Sequence, residues 1–225
     1  MCQSYRVSIT ASLFDMDGLL IDSEVLWHKA EVEIFGGLGV PLVESSNRST
    51  KGVYVDDVVD YWYARYPWSG PSVDEVVEML LERVGSLVES EGRLLPGALR
   101  AIDLTSDRGP VALASSTPLA LIHRCLEHFD LTTRFASIHS AEFEPYGKPH
   151  PGVFLTAASS LGIEPSRCLV FEDSTTGVIA ARAASMRLVA VPTPEDRGEV
   201  EFLLADLVLE TLEELTPDWL DEQFA

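Results

Sequence analysis

Four short segments of this chain hold side chains whose chemistry can be combined. Asp15 and Asp17 stand two apart in Phe14-Asp-Met-Asp-Gly18, just past an apolar run. Two carboxylates on a chain leaving extended geometry can reach one centre, and Gly18 permits the torsions such a turn needs. One can serve as a nucleophile and the other as an acid or base. Taken alone, both also suit an ordinary turn. Glu172 and Asp173 follow a second apolar run. Carboxylates gathered at one place repel each other unless a hard divalent cation neutralises them, and Mg²⁺ with oxygen ligands fits best. Asp173 has a second reading as the N-cap of the next helix, a role open to Ser174 and Thr175 too. Ser115 and Ser116 end a third run, where a hydroxyl and backbone amides near a helix start suit phosphate oxygens. Lys148, in Gly147-Lys-Pro149, supplies positive charge in a chain with only three lysines, Lys29, Lys51 and Lys148.

These groups meet only if the elements bring them to one edge. Short apolar runs alternate with longer amphipathic ones, which predicts a βα-alternating, largely parallel sheet. The expected strands cover 9–14, 111–115, 137–141, 168–171 and 188–191, with a short last one at 207–209. The expected helices between them cover 99–106, 119–129, 153–161 and 176–184. In open parallel sheets ligands bind beyond the carboxyl ends of the strands, where all four segments lie. The stretch from Ser23 to Leu94 breaks the alternation, with helical periodicity at 25–35, 57–65 and 73–88. Pro71-Ser72 is a helix start signal, and Leu95-Pro-Gly97 a turn that returns the chain to the sheet. The expected division is therefore a core of residues 1–22 and 95–225 and a helical cap of residues 23–94.

Composition narrows the function. An apolar fraction of 46% allows a sizeable core. Sixteen basic against 36 acidic residues give a net charge of −20, which repels nucleic acid and anionic lipid. A phosphate-bearing substrate then needs a local positive feature: a metal ion, a buried lysine or oriented amides. Cys2, Cys125 and Cys168 are odd in number and lack CxxC spacing, so they read as free thiols in a reducing compartment. No apolar stretch reaches membrane-spanning length. A soluble, cytoplasmic monomer is expected.

In their order and spacing the motifs resemble the haloacid dehalogenase superfamily. The resemblance rests on Phe14-Asp-Met-Asp-Gly-Leu-Leu-Ile-Asp-Ser-Glu24, Leu113-Ala-Ser-Ser-Thr117, Lys148-Pro-His-Pro151 and Phe171-Glu-Asp-Ser174. It implies an α/β fold, a doubly wound parallel-sheet, Rossmann-like core with a small inserted α-helical cap. The cap resembles the beta-phosphoglucomutase-like group, and within it the hexitol phosphatase or 2-deoxyglucose-6-phosphate phosphatase type. That likeness is carried by Leu19-Leu-Ile-Asp-Ser-Glu24, Leu26-Trp27, Val58-Val-Asp-Tyr-Trp-Tyr-Ala-Arg65, Pro67-Trp68 and Ser140-Ala-Glu142.

The resemblance implies a Mg²⁺-dependent phosphatase of small phosphorylated sugars or sugar alcohols. Asp15 would be the nucleophile and Asp17 the acid and base. Asp15, the Asp17 carbonyl, Asp173 and Glu172 would hold the metal. Ser115, Ser116 and Lys148 would grip the phosphoryl group, with Met16 beside it. Trp27, Lys51, Gly52 and Tyr54 are cap candidates for substrate contact, Trp27 and Tyr54 being equally suited to packing. Trp62 and Trp68 are assigned to cap packing. The alternative is a sugar-phosphate mutase. Against it, Val55 stands where the mutase relatives place an Arg, and Trp27 where they place a His.

Overall fold

The computed structural model describes residues 8–42 and 52–225. Lys51, expected to contact substrate, lies outside the described residues. Six parallel strands form one sheet in the order β3-β2-β1-β4-β5-β6. They are β1 (Ala11–Phe14), β2 (Val111–Ser115), β3 (Ser137–Ser140), β4 (Cys168–Glu172), β5 (Arg187–Ala190) and β6 (Leu207–Val208). Strands β1, β2 and β4 are buried along their whole length, which explains why they read as unbroken apolar runs without alternation.

Alternate residues nonetheless serve different faces. Ala11 and Leu13 pack with Phe154, Ala157 and Val178 on one side of the sheet. Phe14, Leu113 and Phe171 join the larger cluster on the other side. Phe14 pairs in register with Phe171, and their rings stack at 4.3 Å and 3°. This contact lies one residue before Asp15 and Glu172, so packing in the sheet fixes how the two acidic segments stand beside each other.

Three helices fill the break in alternation: α1 (Glu24–Gly37), α2 (Val55–Arg65) and α3 (Val73–Glu91). Ser72 starts α3 through a reciprocal cap, its hydroxyl accepting from the Glu75 amide at 3.2 Å while the Glu75 carboxylate accepts from the Ser72 amide at 2.7 Å. Trp62 and Trp68 are buried around Phe35, with ring centroids 6.2 and 6.1 Å away. The chain enters and leaves this segment side by side: the Asp22 amide donates to the Arg93 carbonyl, and the Leu95 amide to the Leu20 carbonyl, both at 2.9 Å. We propose that core and cap divide at this crossing. Arg124 on α5 (Leu119–His128) bridges Glu82 and Glu89 of α3, tying cap to core from the side.

The remaining helices are α4 (Ala98–Ser106), α6 (Gly152–Ser160), α7 (Thr175–Ala183) and α8 (Pro217–Phe224). Several expected boundaries move by a few residues: β1 starts at Ala11, β5 covers Arg187–Ala190 and α3 runs on to Glu91. Others move at identifiable residues. Strand β3 stops at Ser140 because the Ser140 hydroxyl accepts from the Glu142 amide and starts a short 3₁₀ turn. Helix α2 starts at Val55, with Tyr54 in extended geometry before it. Helix α8 was not expected, being short and acidic, although Thr216-Pro217 is a start signal and the Thr216 hydroxyl accepts from the Trp219 amide. Among the described residues no helix is long and apolar enough to cross a membrane. Cys125 and Cys168 are free and buried, and burial pushes their thiols up to about 12 and about 11.

Gly97 starts α4 at φ +84°, where a Cβ would overlap the backbone of Leu212 and Glu213. Backbone cannot yield as a flexible side chain can. Gly97→Ala should therefore lower stability by about 2–4 kcal/mol, measured by urea unfolding; a change under about 0.5 kcal/mol would contradict this packing.

Candidate active site

Strands β1, β2 and β4 are neighbours, so their carboxyl ends deliver Asp15, Ser115, Glu172 and Asp173 to one place. Lys148 reaches them from the loop before α6. Its ammonium donates to Asp15 Oδ1 and Glu172 Oε1, both at 2.6 Å, and to the Ala114 carbonyl at 3.2 Å. All three side chains are buried. Asp15, Glu172 and Asp173 each offer an oxygen within 4.8 Å of the other two.

Burial raises the Asp15 carboxyl well above its ordinary range. The Lys148 ammonium opposes that shift, and the charges of Glu172, Asp173 and Asp17 add to it. Burial works against a charged Lys148, but Asp15 and Glu172 overcome it and hold the ammonium above its ordinary value. Glu172 is fully engaged: its Oε2 accepts from the Asp173 and Ser174 amides at 2.9 Å and from the Ser174 hydroxyl at 3.0 Å. Ser174 also caps α7, accepting from the Gly177 amide, so the open alternatives for that cap resolve on Ser174 and not on Asp173. Among the described residues only Lys148 is hydrogen-bonded to the Asp15 carboxylate, through Oδ1, while the Asp15 amide donates to the Phe171 carbonyl at 3.1 Å.

Gly18 makes room for Asp173. It sits at φ +70°, and a Cβ there would overlap Asp173 Oδ2. Asp17 lies on the same turn, held by four donors. Its Oδ1 accepts from the Ser23 hydroxyl at 2.6 Å and the Trp27 indole at 3.1 Å. Its Oδ2 accepts from the Thr117 hydroxyl at 2.6 Å and, weakly, from the Ser115 hydroxyl at 3.4 Å. Three of these partners are hydroxyls, which can turn to accept as well as donate.

Met16 is fully buried with its side chain in the core, so only its backbone is left to meet a substrate. Ser115 and Ser116 lie in the loop before α5. The Ser115 hydroxyl accepts from the Thr117 amide, and the Ser116 hydroxyl donates to the Gly52 carbonyl of the cap segment at 3.0 Å. Glu142 holds this loop by accepting from the Leu119 amide at 2.8 Å, and the Ser140 hydroxyl by donating to the Thr117 carbonyl at 2.7 Å. Above these groups is a cleft of about 720 Å³, counting its open mouth. Asp15, Asp17, Lys148 and Asp173 line it from the core, and Trp27, Gly52, Val55 and Val58 from the cap segment. Tyr54 is not among the lining residues; Trp27 both lines the cleft and bonds Asp17.

Sequence reasoning missed Thr117 and Glu31. Thr117 adjoins Ser115-Ser116, and its hydroxyl at the same strand end was a usable signal. Glu31 lies one helical turn beyond Trp27 and lines the cleft, although it is buried. An acidic residue on a cap helix of so acidic a chain carries no signal in sequence.

A family model described as haloacid dehalogenase-like hydrolase matches residues 9–185. Hexitol phosphatase B of Escherichia coli (strain K12) is 48% identical over 210 residues, which cover 92% of this chain and 95% of that protein. A phosphorylated carbohydrates phosphatase of Thermotoga maritima is 30% identical, covering 80% of this chain and 83% of its own length. The crystal structure of beta-phosphoglucomutase from Clostridium difficile superposes with a TM-score of 0.82 at 24% identity, over 96% of this chain and 97% of that one, a likeness of fold.

Burial pushes the Glu31 carboxyl from 4.5 up to about 7. The folded state then keeps a proton that the unfolded state releases near 4.5, so this group's stability contribution is present below that value and is lost as pH rises to about 7. The loss is about 3 kcal/mol at most. Glu31→Gln does not titrate, so its melting temperature relative to wild type should rise between about pH 5 and about pH 7.5. An unchanged difference across that window would remove burial as the cause.

Proposed function

The chain belongs to the haloacid dehalogenase-like hydrolase family, and on that premise we propose a Mg²⁺-dependent phosphatase of small sugar and sugar-alcohol monophosphates. The observation that carries this reading is the buried Asp15 with Lys148 on one oxygen, beside Asp173 and within a turn of Asp17. The sugar class is supported by the relatives, two of which are named for hexitol and carbohydrate phosphates.

An Asp15 oxygen attacks phosphorus, the ester P–O bond breaks, and Asp17 gives its proton to the departing alkoxide. Water then attacks the aspartyl phosphate, Asp17 takes its proton, and the Asp15–phosphorus bond breaks to release inorganic phosphate. Lys148 and the loop at Ser115 and Ser116 neutralise the phosphoryl oxygens. Hydrolysis is favoured over mutase transfer by the cleft's cap side, where Val55 and Trp27 offer no charged partner for a second phosphate.

The donor set fits a hard divalent cation, since Asp15, Glu172 and Asp173 bring buried carboxylate oxygens within 4.8 Å of one another. Asp15, Asp173 and the Asp17 carbonyl would hold Mg²⁺. Glu172, with both oxygens already bonded, would add charge and position Lys148. Bound there, Mg²⁺ supplies positive charge to the transferring phosphoryl group.

Asp15→Asn should keep the circular-dichroism spectrum and lose roughly 10⁴-fold or more of phosphate release from a hexitol 6-phosphate. Turnover near the wild-type rate would rule Asp15 out as nucleophile. Chelation should abolish wild-type activity, with Mg²⁺ restoring it, and Asp173→Ala should raise the Mg²⁺ needed for half-maximal rate roughly ten-fold or more. Full activity in excess chelator would end the metal reading.

A further inference from the structure

Helix α1 treats its charged residues in two ways. On its outer side Lys29 pairs with Glu91 at 2.5 Å and Glu33 with Arg83 at 2.8 Å, all partly exposed. Glu31 points the other way. It is 8% exposed, lines the same cleft as Asp15, and makes no hydrogen bond or ion pair to any described residue. Its neighbours along that wall are apolar: Trp27 one turn before it, Val58 of α2 and Leu80 of α3. A buried carboxyl without a partner is costly, and such groups persist where something outside the protein completes them.

What completes it follows from its chemistry. A carboxylate repels a second phosphate, so the far end of the substrate carries no anion. A carboxyl accepts hydrogen bonds in either state and donates one when protonated, which suits an alcohol, itself both donor and acceptor. Glu24 of the same helix also lines the cleft, but the side chains beside Glu31 are apolar, so its carboxyl can orient the ligand at that end. We infer that Glu31 is the specificity-determining residue of the cap, binding hydroxyl groups of the sugar or sugar-alcohol chain remote from the phosphoryl group. The inference rests on the sugar-phosphatase reading and deepens it: a polyol tail satisfies Glu31, whereas a short phosphate leaves it unpaired.

The test compares kcat/KM for sorbitol 6-phosphate with that for acetyl phosphate, which has no hydroxyl, using the Mg²⁺-loaded enzyme. Glu31→Leu should lower the ratio of the two roughly 10–100-fold, as expected when a hydrogen bond from a charged or buried polar group is lost. Glu31→Gln, which still accepts and donates, should keep the ratio within roughly five-fold of wild type. The melting temperature of Glu31→Leu should not fall, because an unpartnered buried carboxyl has been removed. If the leucine variant does not fold, Glu31→Ala carries the same expectation for the ratio. A ratio within about two-fold of wild type overturns the inference, whether both activities drop together or neither does. So does a wild-type preference for glucosamine 6-phosphate of about ten-fold or more, which would make Glu31 a cation partner. A wild type that turns over acetyl phosphate but no sugar phosphate removes the sugar-phosphatase reading and the inference with it. Normal sugar-phosphate turnover with an unmoved ratio removes the inference alone.

Discussion

A chain of net charge −20 gathers three carboxylates at one strand edge, and the Lys148 ammonium is what makes that arrangement tenable. It spans Asp15 and Glu172 at 2.6 Å each and rests on the Ala114 carbonyl. Buried charges lose their hydration, and their mutual attraction offsets that loss only when each is hydrogen-bonded as well. Glu172 meets that condition through the amides of Asp173 and Ser174, so the first turn after β4 serves the ion pair and the cap of α7 together. Removing one partner from such a cluster leaves an uncompensated buried charge, which typically costs about 3–5 kcal/mol.

Asp17 is the point where core and cap meet. Ser23 and Trp27 approach one of its oxygens from the start of the helical segment, and Thr117 and Ser115 approach the other from the loop after β2. The Ser116 hydroxyl on the Gly52 carbonyl adds a second tie across the same gap. The position of the helical segment and the placement of the Asp17 carboxyl are therefore linked through shared hydrogen bonds. Arg124, bridging Glu82 and Glu89, holds the two parts at a distance from the chemistry. Its pairs are partly exposed, and such contacts contribute little to stability.

The apolar runs of β1, β2 and β4 were legible because strands buried on both faces must be apolar throughout, and short runs of that kind between amphipathic stretches leave few other folds. The start of α3 was legible because Ser72 is a start signal in sequence, and Glu75 completes the cap. Helix α8 was not, being short and acidic despite its Thr216-Pro217 start, nor was the 3₁₀ turn after Ser140, which depends on a single capping hydroxyl. In the site, Asp15, Asp17, Glu172, Asp173, Ser115 and Lys148 could be picked out because each follows a strand end or stands out by charge.

Sequence by itself determined the alternating α/β core, the place of the helical insertion and the residue types available for phosphoryl chemistry, because periodicity and strand-end position are local properties. Tertiary structure decided the strand order that sets β1 between β2 and β4, and with it which carboxylates share one space. It also decided that Glu172 anchors Lys148, that Thr117 and Trp27 hold Asp17, and that Glu31 turns inward while Glu33 pairs at the surface. A carboxylate's partner, burial and direction depend on groups far away in the chain. One Glu among so many has no sequence context that separates a solvated side chain from one aimed into a cleft.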